Sequence, residues 1–129
     1  MELRVRSDQQ ISEYVPARSI PIDHLVITAT SSGAAQTLYT VRAEVKARIM
    51  ALAVVNTTGS AATLTLHSIP SGGSIGTSNI ELAAVSIPAN TAADLTKYIM
   101  GLYSPGTVLK VYSGTNGALV IHGWAEEQL

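Results

Sequence analysis

The chain has no cysteine and no phenylalanine, and it is poor in charge. Without cysteine there are no disulfides and no thiolate metal sites, and the redox compartment stays open. Aromatics are 5% of the residues although hydrophobic residues reach 47%, so the apolar content is mostly Ala, Val, Leu and Ile. That mixture suits closely spaced sheets better than an aromatic ligand pocket. Charged residues make up 13% of the 129, about half of the roughly 25% usual for soluble domains. A short chain of this kind points to surface buried in an oligomer or larger assembly. A net charge of −1 offers no basic stripe, which excludes nucleic acid as the expected partner. No apolar run reaches the ~18 residues of a membrane span, so no membrane partner is expected. The opening MELRVRSDQQ is charged and lacks an apolar core, which predicts no signal peptide and synthesis in the cytoplasm.

Charge is missing most completely from Ile49 to Ile80, 32 consecutive residues without Lys, Arg, Asp or Glu. Thr, Ser, Gly and Asn interrupt this stretch throughout, so it reads as strand, turn and strand. Its outer face is expected to be covered by something. Eleven of the 17 charged residues lie in the first 48 positions. Residues 1–23 carry seven of them, together with Pro16 and Pro21, each of which removes an amide donor and favours extended backbone before it. They read as an extended N-terminal arm, contributing at most one edge strand near Leu3–Arg6, with a disordered tail as the alternative. Residues 24–129 read as one β-sandwich domain.

Strand signals dominate from His24 onward. The expected strands are 25–29, 36–41, 48–55, 61–69, 80–87, 91–100, 107–113 and 118–127. The strand at 48–55 is apolar on both faces, as in a central strand covered twice. The segment 91–100 is ambiguous between helix and strand and is taken as strand. Residues 70–79 read as a long flexible loop, and Gly114-Thr-Asn-Gly as a hairpin turn. The fold class is therefore all-β: an antiparallel β-sandwich or jelly roll of about eight strands with an extended N-terminal arm.

The side chains assemble no catalytic constellation. SGGSIGTSN lacks the Gly-Lys-Ser/Thr and the helix that a phosphate-binding loop needs. His67 and His122 could converge if their strands pair, but no carboxylate or cysteine lies near either, and a metal site wants three or four ligands. Asp94 with Lys97 reads as a surface pair. Glu126 and Glu127 are adjacent on a strand, so they face opposite ways. No serine sits in a Gly-x-Ser-x-Gly elbow. Asn56-Thr-Thr matches the glycosylation triplet, with little meaning in the absence of a signal peptide. Trp124, the only Trp, reads as a core or interface anchor before a sugar platform. No cofactor is expected.

LYTV at 38–41, the strand 49–55, NTTGSAATLTLHSIPSGGS at 56–74 and GTVLKVYSGTNGALVIHGW at 106–124 together resemble small β-sandwich modules of tailed-bacteriophage virions. These modules share the string strand, N-T-x-G-x-A-A-T, alternating strand, P-S-G-G-S, and a closing G-T-x-L-x-V hairpin. The resemblance covers residues 36–124. RAEVKA at 42–47 stands where a Pro-Ala-Gly-Lys turn would be expected, and the arm has no counterpart. The resemblance implies a non-enzymatic virion protein, made in the host cytoplasm, that binds neighbouring virion subunits, often as a trimer. The leading expectation is a capsid cement or decoration protein, a homotrimer bound to the major capsid protein. Its candidate contacts are Arg4, Arg6, Arg18 and Trp124. The alternative is a tail, neck or fibre module. A third reading, from another class, is a carbohydrate-binding β-sandwich using Tyr103 in its turn as an exposed aromatic.

Overall fold

Alternating segments such as ATLTLHSI place every second side chain inward, and the structure packs them between two antiparallel sheets. The structure, a computed structural model, describes residues 18–99 and 101–128. Its strands are β1 (Arg18–Ile27), β2 (Gln36–Thr40), β3 (Lys46–Asn56), β4 (Ala62–Ile69), β5 (Ile80–Ile87), β6 (Ala92–Asp94), β7 (Leu102–Tyr103), β8 (Val108–Ser113) and β9 (Leu119–Gln128). One sheet has the order β1-β9-β3-β6, with β7 also on β3; the other has the order β2-β8-β4-β5. The chain crosses between sheets at β1–β2, β2–β3, β3–β4, β5–β6, β7–β8 and β8–β9. This double Greek-key path is that of a jelly roll. Helical structure among the described residues is limited to short 3-10 turns at Ser32–Ala34, Thr77–Asn79 and Thr96–Tyr98.

The core lies between the sheets. Ile27, Leu52, Val54, Leu119 and Ile121 meet Leu64, Leu66, Leu109 and Val111, all essentially inaccessible. Burying a side chain of this size contributes about 1.5–3 kcal/mol.

Several sequence expectations are corrected. Residues 18–23, read as arm, form the first half of β1: Arg18 to Ile22 pair with Glu127 to Gly123, and Ile22 is buried. Pro21, which cannot donate to the ladder, is tolerated because β1 is the edge strand of its sheet. The proposed edge strand at Leu3–Arg6 lies outside the described residues. The strand expected at 91–100 is instead β6, which pairs with β3 at Val55 to Ala53, followed by the turn Thr96–Tyr98. Asp94 breaks that strand by taking the amide and the hydroxyl of Thr96 onto Oδ1, at 2.9 and 2.6 Å. The loop 70–79 is organised by Asn79. Its Oδ1 accepts from the Gly76 amide and from His67 Nδ1, and its Nδ2 donates to the Ser74 carbonyl.

Asn56 is 1% exposed and fixes the turn after β3. Its Oδ1 accepts from the amide and hydroxyl of Thr58, while Nδ2 donates to the carbonyls of Ser60 and Ile87. Every polar valence of the amide group is used, so this side chain is a turn organiser rather than a glycan acceptor.

Gln36 closes the seam between β1 and β2, and Glu127 that between β9 and β2. Gln36 Oε1 accepts from the amides of Thr28 and Ala29, and its Nε2 donates to the Val26 carbonyl. At the other end Glu127, 3% exposed, accepts from the Tyr39 hydroxyl at 2.7 Å and Arg42 Nε at 2.8 Å. Glu126 stays on the opposite, solvent side, as adjacent strand residues must.

Candidate assembly face

Strand register decides which side chains share an outer surface, and the two outer surfaces of this sandwich differ sharply. On the β2-β8-β4-β5 sheet the outward rows hold Thr37 beside Lys110, Tyr112 beside Thr65, and Thr63 beside Ser86. These rows are largely polar, although Thr65 and the next outward residue of its strand, His67, are covered, and Ile80 of β5 is exposed. On the other sheet Val26, Val120 and Val55 form one row with Ala92 at its end, and Pro21, Trp124 and Ala51 form another. Between them lie His122, Ala53 and Asp94. Val26 is 49% exposed and Trp124 38%. The face is bounded at one end by Arg48 and Glu126, which pair across β3 and β9. Four strands spaced at ~4.8 Å, over about six residues of length, give a face of about 400 Å² in all, Asp94 and His122 included.

Two further features mark this face. Asp23 and His24 occupy the register shift of β1, which swings His24 onto His122 with ring centroids 4.3 Å apart and planes 20° from parallel. Beside Trp124 the surface sinks into a depression of about 460 Å³, lined by Ala51, Ala53, Asp94, His122, Gly123 and Trp124 among others. Gly123 lets the two strands beneath it, β3 and β9, approach closely. A Cβ there would stand 2.0 Å from the Ala51 carbonyl oxygen, where β3 bulges between Ile49 and Ala51. Asp94 is held below its usual carboxylate value, first by the Thr96 hydroxyl and then by the Thr96 amide.

Of the side chains singled out in the sequence, Trp124 lies in the open on this face rather than in the core. Arg18 is in β1, opposite Glu127. Arg4 and Arg6 lie outside the described residues. His67 and His122 do not meet: they are on different sheets, with His67 buried against Asn79 and Tyr112. Tyr103 is buried, not an exposed platform. It pairs with Ala47, and the wall it helps form belongs to a second depression of about 500 Å³ between the loop after β4 and the turn before β8. Burial and then the Glu81 carboxylate push its phenol upward. Lys97 sits 5.2 Å over the Tyr98 ring, while Asp94 turns to Thr96. No group of three or more His, Cys, Asp or Glu lies together among the described residues. No helix among them is long and apolar enough to cross a membrane.

Sequence reading missed the His24–His122 stack and the Tyr39–Arg42–Glu127 cluster. The first depends on a bulge. The second joins residues 85 and 88 positions apart, and no local pattern signals such separations. An acidic residue at an inward position of the last strand was the one clue available.

Strand order and surface together define a class: a jelly-roll domain whose β1-β9-β3-β6 sheet presents the more apolar outer face. Within that class the fold is similar to part of a chain in the structure of infectious bursal disease virus Gx strain, with a TM-score of 0.52 and 15% identity over 91% of this chain and 32% of that one. The chain thus spans about a third of that relative's length. A chain of the T13 IBDV viral particle overlaps at a TM-score of 0.46 and 12% identity, over 87% of this chain and 30% of that one. At such identities the likeness is one of fold. No protein-family model matches the chain, and no curated protein matches it in sequence.

Proposed function

We propose that this chain is a non-enzymatic structural subunit of a virion, a cement or decoration protein that packs on other virion subunits through the outer face of its β1-β9-β3-β6 sheet. The observation that carries the reading is that face. It is apolar around Trp124, Val26 and Val120, whereas the outward rows of the opposite sheet are mostly Thr, Ser, Lys and Tyr. Burying it removes apolar area that no part of the described chain covers. The jelly-roll likeness to a chain of a virus structure supports the same reading, as does the resemblance of residues 36–124 to phage virion modules.

The face also sets the strength of the contact. About 400 Å² per partner is half of the ~800 Å² that a standard stable interface buries on each side. By itself it gives a weak contact, effective where many copies are held together. A stable homotrimer needs more area, and residues 1–17, with Arg4 and Arg6, supply the remaining candidate contacts.

The test is binding of the full chain to purified phage shells by co-sedimentation, with Trp124→Ala and Val26→Ser as face variants. Binding that saturates at a copy number comparable to the major capsid protein, and that both variants weaken, supports the proposal. Saturation at a small fixed number per particle assigns the chain to a tail, neck or fibre instead. Failure to bind any virion component, with the chain monomeric at high concentration, overturns it.

A further inference from the structure

We propose that the depression beside Trp124 is a binding site for a neutral hexopyranose, stacked on the indole and hydrogen-bonded to Asp94 and His122. The site shares Trp124 with the proposed assembly face, so a bound sugar and a packed subunit compete for it; its lining leaves out Val26, Val120 and Val55.

Its volume of about 460 Å³ falls in the range of roughly 300–1,000 Å³ typical of small-molecule sites. The floor is Ala51, Ala53 and Gly123, so nothing larger than a methyl group rises from it. Ala53 pairs with Asp94 on one side and His122 on the other. The two polar residues therefore stand about 10 Å apart, two strand spacings, across a smooth apolar base. Trp124 follows His122 by two residues on the same face, about 7 Å along the strand.

A hexopyranose has this same division of surface. One ring face is a patch of C–H groups, which suits an indole, and the rim is a ring of hydroxyls, which suits a carboxylate and an imidazole. Asp94 is preorganised for that task. Its Oδ1 is taken by the Thr96 amide and hydroxyl, which fixes the carboxylate and leaves Oδ2 to accept from ligand hydroxyls. His122 is braced by its stack on His24 and offers one ring nitrogen as donor and the other as acceptor. The lining contains no Lys or Arg, and its single full charge is Asp94, so an anionic sugar is disfavoured. A quaternary ammonium ligand calls for several aromatic walls, and here Trp124 is alone.

The experiment is a titration of the full isotope-labelled chain with the methyl pyranosides of glucose, galactose and mannose and with N-acetylglucosamine, followed by amide and indole N–H shifts. Tetramethylammonium is the counter-probe. We expect saturable, millimolar binding of at least one sugar, the affinity typical of a ligand this small, with shifts centred on the Trp124 indole, His122 and Ala53. Asp94→Asn keeps an acceptor for Thr96 and so keeps the fold; it should weaken binding about tenfold, the loss of one charge-assisted hydrogen bond. Trp124→Ala should abolish binding. Co-sedimentation with shells separates the two proposals, because Val26 lies outside the depression: Val26→Ser should weaken shell binding and leave sugar binding unchanged. The sugar site is overturned if no probe sugar shifts the Trp124 indole saturably, if Asp94→Asn binds as tightly as the parent, or if tetramethylammonium binds there in preference to every sugar.

Discussion

Gly123→Ala tests the central packing argument most directly. Gly123 lies in β9 opposite Leu52 of β3, where the β3 bulge brings the Ala51 carbonyl close. An added Cβ would meet that oxygen at 2.0 Å, the Ala51 carbonyl carbon at 2.9 Å and the Leu52 Cα at 3.0 Å. All three are backbone atoms of the strand at the centre of its sheet, so no rotamer change relieves the overlap. β3 and β9 must separate by more than 1 Å, or the bulge must be rebuilt. Overpacking of this kind costs typically 1–3 kcal/mol. Both partners here are main chain, so we expect the top of that range, about 3 kcal/mol, out of a total of about 5–15 kcal/mol for a domain. The melting temperature should fall by about 10–15 °C in circular dichroism. Gly59→Ala is the control, since its Cβ would enter open space; it should be neutral or stabilise by a few tenths of a kcal/mol. If Gly123→Ala melts within about 2 °C of the parent, the β3–β9 register described here is wrong.

Glu127→Gln should cost about 1–2 kcal/mol, because it removes the charge on which Tyr39 and Arg42 converge; the figure is kept low because the Arg42 side chain is 53% exposed. Burial at the sandwich's end raises the Glu127 pKa, but the Tyr39 hydrogen bond and then Arg42 outweigh it, so the net shift is downward. Its contribution is thus fully present above the ordinary value of 4.5 and is lost as pH falls through the lower folded value. Urea midpoints measured across that acid range should fall more steeply for the parent than for Glu127→Gln, and parallel curves would refute the cluster. Asn56→Ala strips partners from the Thr58 amide and the Ile87 carbonyl together and should cost about 2–4 kcal/mol by chemical denaturation; a loss under about 1 kcal/mol would mean the turn holds itself. Deleting residues 1–17 should leave the melt of the sandwich intact while weakening shell binding, whereas deletion through residue 23 removes half of β1 with Ile22 and should prevent folding. A deletion through residue 23 that folds normally would return those residues to the arm.

The sequence by itself determined the class of fold, because strand identity is a local property. Alternation in ATLTLHSI, the doubly apolar IMALAVV and the turn residues Asn56, Gly114 and Gly117 act within a few positions of one another, and each points the same way. The charge-poor stretch from Ile49 also pointed to a sheet whose outer face is covered by something. Only tertiary structure decided which strands stand beside which. It separated His67 from His122, put Tyr103 inside, carried Glu127 to Tyr39, and turned 18–23 from arm into strand. The depression at Trp124 belongs to this second kind. It needs Asp94 from β6, Ala53 from β3 and His122 from β9 in one row, and a one-residue slip in either ladder would send that row to the other face. Register between distant strands is fixed by the summed packing of both sheets, and that sum cannot be read from any short window of the chain.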